Sequence, residues 1–254
     1  MSVYTYKPKS FRSDYIDRIW CSNEADVYVK ESNYPFLQSE LIFHYGEFFS
    51  LTGERVSVIK TSNADIILSG LKTSPFVTEV SGRYSAIGFL LKPHCYGIIK
   101  HHIGFDELEN ITGYLHSLLL GSNNPDFDSI EKLLQKVFRS KGAGYLLNIF
   151  QDQVNHSYLR RGAIGKELHT MNISQKHFYN RFKRFVGLTP GEFIKLKQVN
   201  HAIELMKSKR ELNLAEISYE AGFYDQAHFS RTFKSFCGIT PNTFRRKQFE
   251  SSKT

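Results

Sequence analysis

The chain of 254 residues has no apolar run near the roughly 20 residues that a membrane-spanning helix needs. Ile87-Gly88-Phe89-Leu90-Leu91 and Leu118-Leu119-Leu120 are far too short. Met1 to Arg12 alternates polar and aromatic residues without a continuous apolar stretch, so no secretory signal is expected. Cysteine is scarce. Cys21, Cys95 and Cys237 are odd in number and far apart. That suits a reducing cytoplasm and excludes a four-cysteine zinc site. No Gly-rich phosphate loop, acid pair or Ser-His-Asp cluster is identifiable, although a triad assembled from distant residues stays open. Low-complexity linkers are also missing. What is there is a 41% hydrophobic, 23% charged chain, a globular composition of a length for one large or two modest domains.

The net charge is +8, and it is unevenly placed. Residues 1–157 hold 15 Lys+Arg and 17 Asp+Glu, a net of −2. Residues 158–254 hold 18 and 8, a net of +10. A basic half beside a slightly acidic one points to a polyanionic partner, against the plainer reading of a solvated basic surface. On this division the acidic half is expected to be indifferent to nucleic acid.

The local pattern divides at nearly the same place. Short apolar-polar alternations run to about residue 105: 27–29, 41–45, 56–59, 66–68, 76–80 and 85–91. Turn residues separate them, among them Gly46, Gly53, Gly70 and Ser81-Gly82. This predicts a β-sandwich or small barrel. Helical periodicity begins at Phe105. One helix is expected from Asp106-Glu107 to about Leu120, then a loop over 121–125. A second is expected with Phe127, Ile130, Leu133, Leu134, Val137 and Phe138 on one face, and Tyr145–Val154 reads as a third helix or as the start of the next domain.

The basic half repeats itself at an offset of 51. Residues 177–195 align with 228–246, and nine of the 19 pairs are identical. Phe178, Phe182 and Phe185 fall at i, i+4 and i+7, as do Phe229, Phe233 and Phe236, which predicts one buried stripe on each of two helices. Such stripes read as core, not as a stacking platform for single strands. Gly187 and Gly238 sit where a left-handed C-cap favours glycine, and Thr189-Pro190 and Thr240-Pro241 fit new helix starts. A shorter helix precedes each stripe, over about 164–171 and 214–221, with Ser174 and Asp225 as expected N-caps of the helices that follow. Helix, short turn, basic-faced helix is the helix-turn-helix arrangement, whose second helix enters the DNA major groove. A helical spacer joins the copies, with Phe193, Leu196, Val199, Ala202, Ile203 and Met206 inward.

Residues 158–249 resemble the DNA-binding domain of the AraC/XylS family of bacterial transcription regulators. The stretch Ile217-Ser218-Tyr219-Glu220-Ala221-Gly222-Phe223-Tyr224-Asp225-Gln226-Ala227-His228-Phe229-Ser230-Arg231-Thr232-Phe233-Lys234, with Gly238-Ile239-Thr240-Pro241, carries the resemblance. Residues 1–120 resemble, more distantly, an uncharacterised β-rich domain found before such domains. That likeness rests on Glu40-Leu41-Ile42-Phe43, Gly70 and Gly88-Phe89-Leu90-Leu91-Lys92-Pro93.

The resemblance implies an α+β, multidomain chain: an N-terminal β-barrel or sandwich, cupin-like, with trailing helices over 1–157, then an all-α domain over 158–254. The latter would hold one helix-turn-helix unit at 164–186, a spacer helix at 191–208 and a second unit at 214–237. It implies DNA contacts from Lys176, Tyr179, Asn180 and Lys183 in the first unit, and from Gln226, Ala227, His228, Ser230, Arg231 and Lys234 in the second. Lys183 and Lys234 suit phosphate; Arg231 suits guanine or phosphate; Asn180 and Gln226 suit adenine. Three positions depart from the family's habit: Asn180 and Gln198 stand where Arg is common, and Leu168 where a small residue is usual.

The implied partner is double-stranded DNA. RNA polymerase, a small-molecule effector and a second copy of the chain are candidate partners, and no membrane is implied. The expected protein is a cytoplasmic regulator, not an enzyme, without cofactor or metal, and an activator by resemblance; the residues themselves do not separate activation from repression. Trp20, Tyr45, Phe48, Phe76 and Phe89 are candidates to line an N-terminal cavity, with ordinary core as the plainer reading. The alternative is an enzyme tethered to DNA, with a metal in the barrel. His44, His94, His101 and His102 are its candidate ligands, but the expected HxH spacing is absent. Pro93-His94-Cys95 places a cysteine beside a histidine, in the wrong order and flanks for a DNA-repair methyltransferase.

Overall fold

The computed structural model describes residues 3–8, 15–120, 125–140 and 174–251. The expected helices at 145–154 and 164–171, most of the 121–125 loop and the domain boundary near 157 lie outside the described residues.

Seven strands form one antiparallel sheet: β1 Tyr4–Tyr6, β2 Ile16–Asn33, β3 Ser39–His44, β4 Phe48–Leu51, β5 Val56–Lys60, β6 Asp65–Ser69 and β7 Phe76–Leu91. Their order is β1-β2-β7-β3-β6-β5, with β4 also paired to β7. The long strands β2 and β7 run together from Ile16↔Leu91 to Asn33↔Phe76. The other edge of β7 is shared, by β3 against Ala86–Leu91 and by β4 against Thr78–Ser81.

The period-2 alternation sends apolar side chains to both faces. Ile19, Cys21, Leu41, Phe43, Ile66, Leu68, Ile87 and Phe89 share one face and belong to the main core. The other face carries a smaller cluster of Ile42, Leu51, Ile67, Phe76, Val80, Tyr84 and Ala86, with Trp20, Phe36 and Phe49 against it. Of the five aromatics considered as cavity lining, with ordinary core as the plainer reading, only Trp20 and Phe76 lie on this second face. Phe89 belongs to the main core, and so does Tyr45, which stacks on His116 at 4.3 Å. Phe48 is 46% exposed.

One expected turn is absent. Ser81-Gly82 lies inside β7, not between strands. The register of β2 against β7 shifts between Glu24↔Tyr84 and Val27↔Gly82, so two β2 residues face one on β7. Gly82 takes φ +77, a conformation that favours glycine and that here serves a bulge. The strand keeps its partner on both sides of this point.

Helices follow. α1 covers Cys95–Ile98 and runs into a π-helical turn, Ile99–Ile103. α2 spans Phe105–Leu120 and α3 Phe127–Ser140, close to the expected bounds. On α3, Ile130, Leu134, Val137 and Phe138 are buried. Tyr6 of β1 stacks on Phe127 at 5.2 Å and its hydroxyl donates to Glu131 at 3.0 Å, which ties this helix to the sheet. In the basic half come α4 Gln175–Val186, α5 Pro190–Ser208, α6 Leu214–Glu220, α7 Gln226–Cys237 and α8 Pro241–Ser251. Among the described residues no helix is long and apolar enough to cross a membrane.

The main core continues from the sheet face through α1 into α4 and beyond. At Gly97 of α1 a Cβ would sit 2.3 Å from the Cα of Phe185, so α1 and α4 meet backbone to backbone. Tyr34, between β2 and β3, meets Phe244 of α8 edge-on at 5.0 Å.

Candidate nucleic-acid interface

Each recognition helix is built by the same local chemistry. Ser174 caps α4 by accepting from the His177 amide at 3.3 Å, and Asp225 caps α7 by accepting from the His228 amide at 2.6 Å. These side-chain oxygens satisfy amides that the first helical turn leaves unpaired. At the other end Gly187 (φ +80) and Gly238 (φ +72) return amides to Lys183 and Lys234 carbonyls, both at 2.9 Å. A left-handed residue there lets the chain leave the helix with its last carbonyls bonded. The three phenylalanines of each stripe are buried. Phe178 and Phe182 pack at 5.7 Å, and so do their repeat partners Phe229 and Phe233.

The spacer α5 starts with a full capping box: Thr189 accepts from the Glu192 amide, and the Glu192 carboxylate accepts from the Thr189 amide at 2.8 Å. Those hydrogen bonds hold the Glu192 carboxyl below the usual carboxylate range. All six residues expected on its inner side are buried. Its 19 residues span about 28 Å. Gln198 also points inward and donates to the Gly222 carbonyl, in the turn between α6 and α7. This gives Gln198 a concrete role: the spacer holds the second unit's turn through a neutral amide.

With the stripes inside, the opposite faces are outside. Lys176, Tyr179, Asn180 and Lys183 are exposed on α4, and Gln226, Ala227, Arg231 and Lys234 on α7. Ser230 is half-buried. His177 and His228, equivalent by the repeat, differ. His177 is exposed, whereas His228 is half-buried, its ring edge-on to Phe223 at 5.6 Å and its Nδ1 inside. Phe223 belongs to the second unit's turn, so this asymmetry comes from the turn and not from the helix.

Two exposed aromatics escaped the sequence reading. Tyr219 on α6 and Tyr224 in the turn are each 84% exposed and flank the start of α7. The signal was present: with Ile217 and Ala221 inward, Tyr219 must face out.

The residues considered for metal or catalysis do not assemble. His44 is buried between Phe49 and Tyr84, which keep its imidazole below its usual pKa by desolvation. His101 and His102 lie against α4 instead. Cys95 is buried and its thiol donates to the Tyr15 carbonyl at 3.4 Å. Among the described residues no group of three or more His, Cys, Asp or Glu side chains could hold a metal ion. Cys237 takes the place of Val186 in the repeat and is buried with it; desolvation pushes its thiol up to about 12.

The fold defines the class: a β-rich part followed by a capped helix-turn-helix and, across a spacer, a second copy of its recognition helix. Residues 169–247 match the family model of a helix-turn-helix domain, and residues 4–102 match a domain of unknown function, DUF6597. The C-terminal part of the chain thus carries a helix-turn-helix domain similar to those of bacterial transcription regulators. It is 30% identical over 104 residues to the uncharacterized transcriptional regulatory protein YesN of Bacillus subtilis, covering 41% of this chain and 28% of that protein. To an uncharacterized HTH-type transcriptional regulator of Haemophilus influenzae it is 31% identical over 101 residues, 40% of this chain and 32% of the relative. The chain thus spans about a third or less of these relatives. Among solved structures, that of ToxT from Vibrio cholerae aligns over 96% of this chain and 98% of its own at 13% identity, with a TM-score of 0.46.

Proposed function

We propose that the chain is a sequence-specific duplex-DNA-binding transcription regulator, and not an enzyme, acting in the cytoplasm. One observation carries this reading. Two helices related by a 51-residue repeat bury matching phenylalanine stripes and expose polar, basic faces, on either side of a spacer whose inner side is buried. Recognition helices spaced by about one turn of duplex can enter successive major-groove segments. In this reading the DNA-binding domain begins near residue 158, with its first helix over 164–171. Asn180 and Gln226 read adenine edges, Arg231 reads guanine or clamps a phosphate, and Lys183 and Lys234 hold the backbone. Lys176, Tyr179, Ala227, His228 and Ser230 complete the contact surface, and the exposed Tyr219 and Tyr224 add sugar-phosphate contacts at the start of α7.

The sheet domain then controls when binding matters, through a ligand or a second copy of the chain. Its second face carries an ionisable pair, Lys72 and Glu40, each acting on the other's charge. Burial pushes Lys72 down to about 8, and Glu40 is raised by burial and hydrogen-bonded to Trp20 beside it. Activation is the role named for one relative, a lactose operon transcription activator of Staphylococcus xylosus, and RNA polymerase is the partner that such a role would engage.

The test is fluorescence anisotropy with a duplex selected by the full chain from its source genome, against a scrambled duplex. The selected duplex should bind with a large excess of affinity, and both affinities should fall steeply with salt. Equal affinity for the two sequences overturns the reading. Arg231→Ala should weaken the selected duplex by about 1–3 kcal/mol if it reads a base, and leave the scrambled one nearly unchanged.

A further inference from the structure

The acidic half of the chain contributes a basic turn to the edge of the first recognition helix. Lys100, His101 and His102 lie consecutively in the π-helical turn Ile99–Ile103, and all three are exposed. Ile99 and Ile103 are buried, so the turn is anchored from below. It is held against the last turn of α4 by three contacts. Gly97, just upstream, admits no side chain against the Phe185 backbone. The His102 ring stacks on Phe185 at 5.5 Å, with 11° between planes. His101 is hydrogen-bonded to the backbone of Arg184. Lys100 leans over Tyr96, its Nζ 3.4 Å from the phenol oxygen, and Tyr96 in turn lies beneath the Gly187 C-cap of α4.

The charged groups that act on His101 have one sign. Burial lowers the His101 pKa first, and the charged groups that lower it further are Arg184, Lys100 and His102. Among the described residues neither Lys100 nor Arg184 is in an ion pair. Arg184 is exposed, one residue beyond Lys183 and one turn beyond Asn180. A helix about 10–12 Å across fills a major groove about 12 Å wide, so what touches its flank stands beside the phosphates of the groove wall.

We infer that Lys100 and His101, together with Arg184, form a phosphate-backbone contact on the duplex entered by α4. This rests on the DNA-binding reading above. It reverses the expectation that residues 1–157 are indifferent to nucleic acid: their net charge is −2, but the part that touches α4 is basic. The contact reads no sequence. It fixes the first unit on the backbone, and it makes the sheet domain part of the DNA-bound surface, so a movement of that domain changes affinity directly.

The experiment uses the full chain and the selected and scrambled duplexes, titrated over a range of salt. The variants are Lys100→Ala with His101→Ala, which leaves His102 on Phe185, and Lys100→Arg alone. Lys60→Ala, on the exposed edge strand β5, is the control. The double variant should bind both duplexes roughly three- to tenfold more weakly, and its log–log salt slope should be shallower by about one for each phosphate it no longer neutralises. Lys100→Arg should keep both the affinity and the slope, and Lys60→Ala should change neither. Unchanged slope and affinity in the double variant, while Lys183→Ala weakens binding, would overturn this inference and leave the DNA-binding reading standing. Failure of the unaltered chain to bind any duplex would overturn both. A melting curve of each variant confirms that these exposed substitutions leave the fold intact.

Discussion

The first and second recognition helices share a sequence pattern and a fold, yet they sit in different surroundings. Both end at a left-handed glycine, but the neighbours of the two caps differ. A Cβ at Gly187 would meet Arg55 Cδ at 3.2 Å and Tyr96 Cε1 at 3.4 Å, whereas at Gly238 it would meet only Pro75 Cγ, at 3.5 Å. All of these neighbours belong to the sheet domain, so matching ends of the two units face one body. The first is gripped through backbone contact at Gly97 and the ring of His102. The second is gripped through Tyr34 on Phe244. The repeat preserves what builds a unit: caps and stripe. It leaves free what the unit touches, and that is where the two copies diverge.

The largest effects should come where the copies are most alike. Phe182→Ala and Phe233→Ala each remove a fully buried ring and should cost about 3–5 kcal/mol by denaturant unfolding. If one costs far less, the units are not equivalent in stability, and the comparison breaks at its base. Next is Gly97→Val, which pushes a side chain into the Phe185 backbone. It should cost about 1–3 kcal/mol and loosen the first unit alone. Hydrogen exchange at α4 should quicken while α7 keeps its protection; equal loosening of both would show that the grip acts on the domain as a whole.

The caps give a finer contrast. Asp225→Ala and Ser174→Ala should each cost about 0.5–2 kcal/mol, the former more. Asp225 holds its amide at 2.6 Å against 3.3 Å for Ser174, and its charge also opposes the positive end of the helix dipole. A larger loss at Ser174 would contradict this ordering. The smallest effect lies in the sheet domain. His44 is held below its usual pKa, so the unfolded chain binds more protons near pH 6 and stability rises with pH through that range. The melting temperature should fall between pH 7.5 and 5.5, and fall less in His44→Phe. An identical fall in that variant would remove His44 as its cause.

The described part of the basic half, 174–251, was almost wholly legible, because its signals are local. Ser174, Gly187, Thr189-Pro190 and Gly238 act through their own turn of backbone, and the stripes need only a period of 3.6. The sheet half was legible as strands but not as a sheet. Nothing near Ser81-Gly82 distinguishes a turn from a bulge, since both use a glycine at positive φ. The long register of β2 decides between them, from more than 50 residues upstream. The five aromatics weighed as cavity lining or ordinary core divide between the faces for a related reason: one residue's shift along a strand sends a side chain to the other face.

By itself the sequence determined the two recognition helices, their caps, their outward faces and the spacer between them. Each depends on interactions within a few residues, and the repeat states them twice. Tertiary structure alone decided which face of the sheet Trp20 and Phe89 occupy, that His228 turns inward against Phe223 while His177 does not, and that Lys100 and His101 come to lie beside Arg184. Those placements join residues 5 to 84 positions apart through packing, and packing depends on the shape of the whole and not on any local pattern.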